Sequence, residues 1–206
     1  MTTMMTLEIS VTGRELDARA EQDLADRVMS ALTGYDEAPD ATMAKAREFT
    51  HVLIQQPRTW VTGGPDTDSA PRYLVRLTVP GSWSGDPDFG KNIVPMITAA
   101  IAGTEPDAER LNREPHCVVQ IVGLREHCVG TLGRSTTSTE LTRLMTQDFR
   151  DSGQLPAAPD GFTIDPTCGM QVEWATAQIT YTHEGVDYAF CAPSCRKVFV
   201  EDHVRS

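Results

Sequence analysis

A run that alternates apolar and polar residues, then apolar residues at helical spacing, then a second alternating run: this order occurs twice before residue 123, and few folds accommodate it. Thr6-Leu7-Glu8-Ile9-Ser10-Val11 reads as a half-buried strand that stops at Gly13. From Leu16 the positions Ala20, Leu24, Val28 and Leu32 recur at helical spacing up to Gly34, a residue suited to end a helix. Asp36 to Thr42 reads as a loop, and Phe49 to Ile54 as a strand that closes at Pro57 and at a Gly63-Gly64-Pro65 turn. The second round is Tyr73 to Val79, then a stripe of Phe89, Ile93, Met96, Ile97, Ala100 and Ile101, then Cys117 to Val122. Two strand-helix-strand units imply a mixed sheet with helices on one face. A Thr137-x-x-Glu140 capping box predicts a further helix through Leu141, Leu144, Met145 and Phe149.

After that helix, residues 151–160 are rich in Pro, Gly and small side chains, the composition of a linker. The expected organisation is therefore a domain over residues 1–150, a linker over 151–160 and a small module over 161–206. In the module, Ile179 to Thr182 and Val186 to Phe190 alternate around His183-Glu184-Gly185, which reads as a hairpin. Pro193 then opens a short helix carrying Val198, Phe199 and His203.

Three of the five cysteines lie in this module: Cys168 in Asp165-Pro166-Thr167-Cys168-Gly169-Met170, and Cys191 and Cys195 in a Cys-x3-Cys run at the helix start. A tight Gly turn, a hairpin and one helical turn would gather three thiolates, the donors that Cu(I), Zn(II) or a heavier thiophilic ion takes. Helix-terminal amides beside Cys195 favour its thiolate form. A regular zinc site asks for a fourth ligand, for which His183, His203 and the thioether of Met170 are candidates. The plainer alternative treats the cysteines as small buried hydrophobes. A second cluster is conceivable at His116-Cys117 and His127-Cys128 if residues 121–124 form a turn that places each pair across a hairpin.

The net charge of -11 argues against a nucleic-acid partner. No apolar run approaches the length of a membrane span, and an odd cysteine count without a secretory leader points to a reducing cytoplasm. No phosphate-cradling Gly loop, Ser-His-Asp order or His-Glu-x-x-His signature is present.

The pattern from Asp165 to Met170, with Tyr188 to Cys195 as a strand end and a second Cys four residues on, resembles the YHS domain over residues 161–203. It is similar also to the TRASH treble-clef modules associated with heavy-metal sensing and trafficking. The resemblance implies Cys168, Cys191 and Cys195 as the metal ligands. The double strand-helix-strand pattern, with Pro57-Arg58-Thr59-Trp60-Val61-Thr62-Gly63-Gly64 after its second strand, resembles the tautomerase superfamily over about residues 5–134. That resemblance implies a homotrimer whose sheets close on one another and lose their exposed edges. The family's chemistry depends on an N-terminal proline as base or nucleophile. This chain begins Met1-Thr2-Thr3-Met4-Met5-Thr6, so tautomerase activity is not expected.

The expected fold class is thus α+β, a tautomerase-like double βαβ domain plus a small treble-clef-like metal-binding module. The expected function is binding of a copper- or zinc-class ion for delivery, buffering or sensing, with a protein partner for metal transfer. The alternative is an enzyme acting on small carboxylate substrates, with Arg58 or Arg76 binding the carboxylate and the YHS-like module as regulator or lid.

Overall fold

The computed structural model describes residues 5–34, 38–62 and 70–204. The chain packs as two compact units, one of residues 3–34 and 50–124, the other of residues 35–49 and 125–206.

The first unit contains β1 (Met5–Thr12), α1 (Ala18–Thr33), β2 (Thr50–Gln55), β3 (Arg72–Pro80), α3 (Gly81–Ser84), α4 (Pro87–Ala102), α5 (Arg110–Arg113) and β4 (Cys117–Leu124). Between α1 and β2 in sequence lies α2 (Asp40–Glu48), which belongs to the other unit. The sheet order is β2-β1-β3-β4, with β1 parallel to β2, β3 parallel to β4 and the two halves antiparallel. This is the mixed sheet that two strand-helix-strand units require, because each parallel pair needs a crossover.

Alternation sorts the residues into two faces. Val52, Leu7, Leu77 and Ile121 form one cross-sheet row, and Ile54, Ile9, Val75 and Val119 the next. Leu7, Ile9, Val75 and Leu77 are completely buried, together with Leu24 and Val28 of α1 and Ile97 and Ile101 of α4. The opposite face presents the rows His51, Thr6, Thr78, Val122; Leu53, Glu8, Arg76, Gln120; and Gln55, Ser10, Leu74, Val118. On it Leu53, Val118 and Val122 are exposed. At one end of the buried face, Glu105 is clamped by Arg110 through Nε at 2.7 Å and Nη2 at 2.6 Å, and accepts a bond from the Tyr73 hydroxyl at 2.9 Å. Burial first, and the bond to Glu105 second, push the Tyr73 phenol above its ordinary range.

The second unit contains α2, β5 (Val129–Thr131), β6 (Arg134–Thr136), α6 (Ser138–Met145), α7 (Gln147–Ser152), β7 (Phe162–Ile164), β8 (Gln171–Glu173), β9 (Thr180–His183), β10 (Val186–Ala189) and α8 (Pro193–Val204). Its strands form three separate two-stranded hairpins. The capping box forms as the sequence predicts: Thr137 Oγ1 accepts from Glu140 N, and Thr137 N donates to the Glu140 carboxylate. The expected single helix is broken at Thr146, which caps α6 and leads into α7. Asp202 of α8 accepts from Arg143 at 2.6 Å and Arg150 at 3.0 Å, joining α8 to α6 and α7. Residues 151–160 are all exposed.

Two expectations need correction. Residues 40–42 are the first turn of α2 rather than loop, with Pro39 before it, Asp40 near its positive end and Lys45 and Arg47 near its negative end. Residues 121–124 continue β4 beside β3 instead of turning, paired with Leu77 to Pro80, and Ile121 completes the row of Val52, Leu7 and Leu77. The Gly63-Gly64-Pro65 turn lies outside the described residues. Among the described residues no helix is long and apolar enough to cross a membrane.

Leu77 sits mid-strand in the innermost row, so Leu77→Ala should lose about 2–5 kcal/mol of stability in urea unfolding, through lost transfer energy and the cavity left behind. Leu53→Ala, on the exposed face, should cost far less.

Candidate metal centre

The site is assembled from a turn, a strand end and a helix start. Asp165 to Met170 link β7 to β8 in a tight knuckle, closed by Asp165 N donating to Met170 O and Gly169 N donating to Asp165 O, each at 2.8 Å. Gly169 adopts φ +78°, a conformation that favours glycine, and an added Cβ would run into Pro39 and the Phe149 ring. The Asp165 carboxylate accepts from Thr167 N at 2.8 Å and from Cys191 N at 2.9 Å, so one side chain both shapes the knuckle and ties it to the end of the β9-β10 hairpin. That hairpin turns at Glu184 and Gly185, both with positive φ. Cys191 leaves it just before α8, and Cys195 falls in the first turn of that helix. Thr167 Oγ1 donates to Cys195 O at 2.9 Å, and Thr42 Oγ1 of α2 donates to Cys168 O at 2.7 Å.

These bonds bring the three predicted cysteines together. Cys168 Sγ lies 3.4 Å from Cys191 Sγ, which lies 3.7 Å from Cys195 Sγ. Four donors about 2.3 Å from a tetrahedral ion stand about 3.8 Å apart, so the sulfurs are at the spacing of ligands sharing one cation. Cys168 and Cys195 are buried, whereas Cys191 is an exposed residue. Phe190 and Phe199 pack with Cys168 and Cys195, with Met170, Ile179, Tyr181, Tyr188 and Ala192 around them.

The proton arrangement follows from the contacts. Hydrogen bonds from Cys191 and then Cys195 hold the Cys168 thiol well below its ordinary range, while serving that sulfur pushes Cys191 and Cys195 up. Cys168 is therefore the most readily ionised of the three sulfurs, and an ion held by all three would displace the protons that remain on them. Burial, followed by the Cys168 charge, raises Asp165 to about 7 against the pull of its amide partners.

Asp165 was not among the ligands the sequence suggested, yet one of its carboxylate oxygens and the three sulfurs all lie within 4.8 Å of one another. The signal was its place inside the knuckle three residues before Cys168, where Asp also serves ordinary turns. The two histidines considered as fourth ligands are engaged elsewhere. His203 stacks on Phe199 at 4.2 Å, with Nδ1 2.9 Å from Phe199 O, and His183 stacks on Tyr181 at 6.3 Å. Met170 packs against the cluster as an apolar neighbour.

The second cysteine-histidine cluster does not form, because β4 pairs with β3 and β5 with β6. Cys117 faces the buried side of its sheet, where burial raises its thiol, and His116 is held by Arg110 at 2.8 Å and Glu114 at 3.2 Å. Arg58 is exposed, and Arg76 lies exposed across from Glu8 on the open sheet face. Replacing Gly169 with Ala should destabilise the protein by about 1–3 kcal/mol or more, read by thermal melting, since both the backbone conformation and the neighbours oppose a side chain there.

No protein-family model matches this sequence, and no curated protein does. Solved structures of tautomerase and macrophage migration inhibitory factor type match about 60 % of the chain. A fused 4-OT wild-type symmetric trimer is 12 % identical over 64 % of this chain and 94 % of its own, with a TM-score of 0.46. Macrophage migration inhibitory factor of Toxoplasma gondii is 16 % identical over 63 % and 98 %, at 0.41. The MIF2 of Leishmania major is 21 % identical over 65 % and 98 %, at 0.40. Similarity at this level says nothing about chemistry or assembly.

Proposed function

We propose that this protein binds a thiophilic metal ion of the copper or zinc class through Cys168, Cys191 and Cys195, and that its role is delivery, buffering or sensing of that ion. The observation that carries this reading is the convergence of the three sulfurs at 3.4 and 3.7 Å from residues up to 27 positions apart in sequence. Close-packed thiols are poor hydrophobic filler when one of them belongs to an exposed residue, whereas an exposed ligand gives an ion, or an exchanging thiol from a protein partner, a way in. The YHS-like pattern in the sequence points the same way. Purified full-length protein should take up about one Zn(II) or Cu(I) per chain and gain thermal stability on doing so, because an ion that prefers the folded state shifts the folding equilibrium. Changing all three cysteines to Ser should abolish both effects. Equal binding by that triple variant would refute the reading.

We further infer that the tautomerase-like part assembles as a homotrimer. The support is its uncovered sheet face, where Leu53, Val118 and Val122 stand exposed among Thr, Ser and Gln side chains, with Glu8 and Arg76 facing each other in the middle row. A sheet face of this composition is better suited to an interface than to water. Light scattering should return about three times the mass of the single chain. Val118→Asp, which places an unpaired charge in that face, should shift the protein to smaller species while leaving metal uptake intact.

A further inference from the structure

The Asp165 carboxyl group is fully buried, at 0 % exposure, and faces the sulfur cluster. Its bonds from Thr167 N and Cys191 N leave each oxygen with a lone pair to spare. Among the described residues no Lys, Arg or His forms an ion pair with it. Two amide dipoles and neutral thiols are meagre compensation for a carboxylate withdrawn from water. The chain solves the same problem differently elsewhere: Glu105, whose side chain is 2 % exposed, is matched by Arg110 at 2.6 Å. At Asp165 the place of the guanidinium is taken by Cys168, Cys191 and Cys195.

We propose that Asp165 is the fourth ligand of the centre, and that the resulting set of three sulfurs and one carboxylate oxygen selects a divalent ion of the zinc class over Cu(I). The inference rests on the metal-binding reading and adds to it the last donor and the charge of the ion. Three thiolates and a carboxylate bring four negative charges into a buried space, which a divalent ion offsets better than a monovalent one. Zinc accepts Cys sulfur and carboxylate oxygen together in tetrahedral sites. Cu(I) favours soft sulfur and has little use for a hard anionic oxygen. Exposed Arg196 and Lys197, near the start of α8, with the helix end itself, temper the charge that remains.

The test uses the full chain, with Zn(II), Co(II) and Cu(I) as the probes, each measured by competition with a chromophoric chelator. Asp165→Asn should weaken Zn(II) binding about 100-fold or more and change Cu(I) binding less than about threefold; the zinc loss alone would not separate a ligand from an outer-shell partner, which typically accounts for 10–100-fold. Asp165→Cys makes that separation. If position 165 donates to the ion, X-ray absorption of the zinc-loaded variant should show four sulfurs where wild type shows three with one oxygen, and cobalt should gain sulfur charge-transfer intensity. Three sulfurs in Asp165→Cys, or Zn(II) affinity unchanged in Asp165→Asn, would overturn the fourth-ligand proposal while leaving the cysteine site standing. Failure of wild type to bind any of the three ions would overturn the cysteine reading and this proposal with it.

Discussion

Two hydrogen bonds to one buried carboxylate hold the cysteine cluster in register. Thr167 N and Cys191 N, separated by 24 residues of chain, both donate to Asp165, so the knuckle that carries Cys168 and the strand end that carries Cys191 are set by the same side chain. Thr167 then reaches across to Cys195 O, and the third sulfur is placed relative to the first by the neighbour of the first. The apolar cluster beside the sulfurs is small, with Cys168, Phe190, Cys195 and Phe199 as its buried members, and it lends little rigidity. Polar bonds inside that small core do the positioning, since a buried donor or acceptor left without a partner costs about 1–3 kcal/mol.

The larger sheet is held by the opposite means. Its inner rows of Leu, Ile and Val bury against α1 and α4, and a polar network sits at one end, where Arg110 serves Glu105, Glu114 and Pro71 O. The contrast has a functional side. Apolar packing tolerates compensating change, whereas a donor set for a cation depends on individual atoms.

What could be read from the sequence was whatever local periodicity determines. The β1 and β3 alternations, the α1 and α4 stripes and the Thr137-Glu140 box depend on neighbours within a turn or two, and each element forms where the pattern places it. The three cysteines were legible for a related reason: a turn, a hairpin and a helix start fix their separations almost covalently. What escaped was decided by distant partners. α2 has only Thr42 and Ala46 buried, too few to draw a helical stripe, and Thr42 is buried because it meets Cys168 O, 126 residues away. A turn at residues 121–124 was the condition for the second cysteine-histidine cluster, but Gly123 there is where Ser84 of α3 approaches the strand too closely for a Cβ. Asp165 hid inside its own motif, since turn chemistry already explained an Asp before Pro.

The bond between Thr42 and Cys168 also bears on the order in which the molecule can be completed during synthesis. Residues 38–49 leave the ribosome early, yet the unit they pack in is otherwise built from residues after 124. The sheet of the first unit has all its strands once residue 124 has emerged, whereas the partners of α2 follow later: α6 and α7 first, then the knuckle that carries Cys168. Contacts spanning so much sequence form late and slowly. The cysteine cluster itself is made last, so α2 can close on Cys168 only after residues 165–170 have emerged.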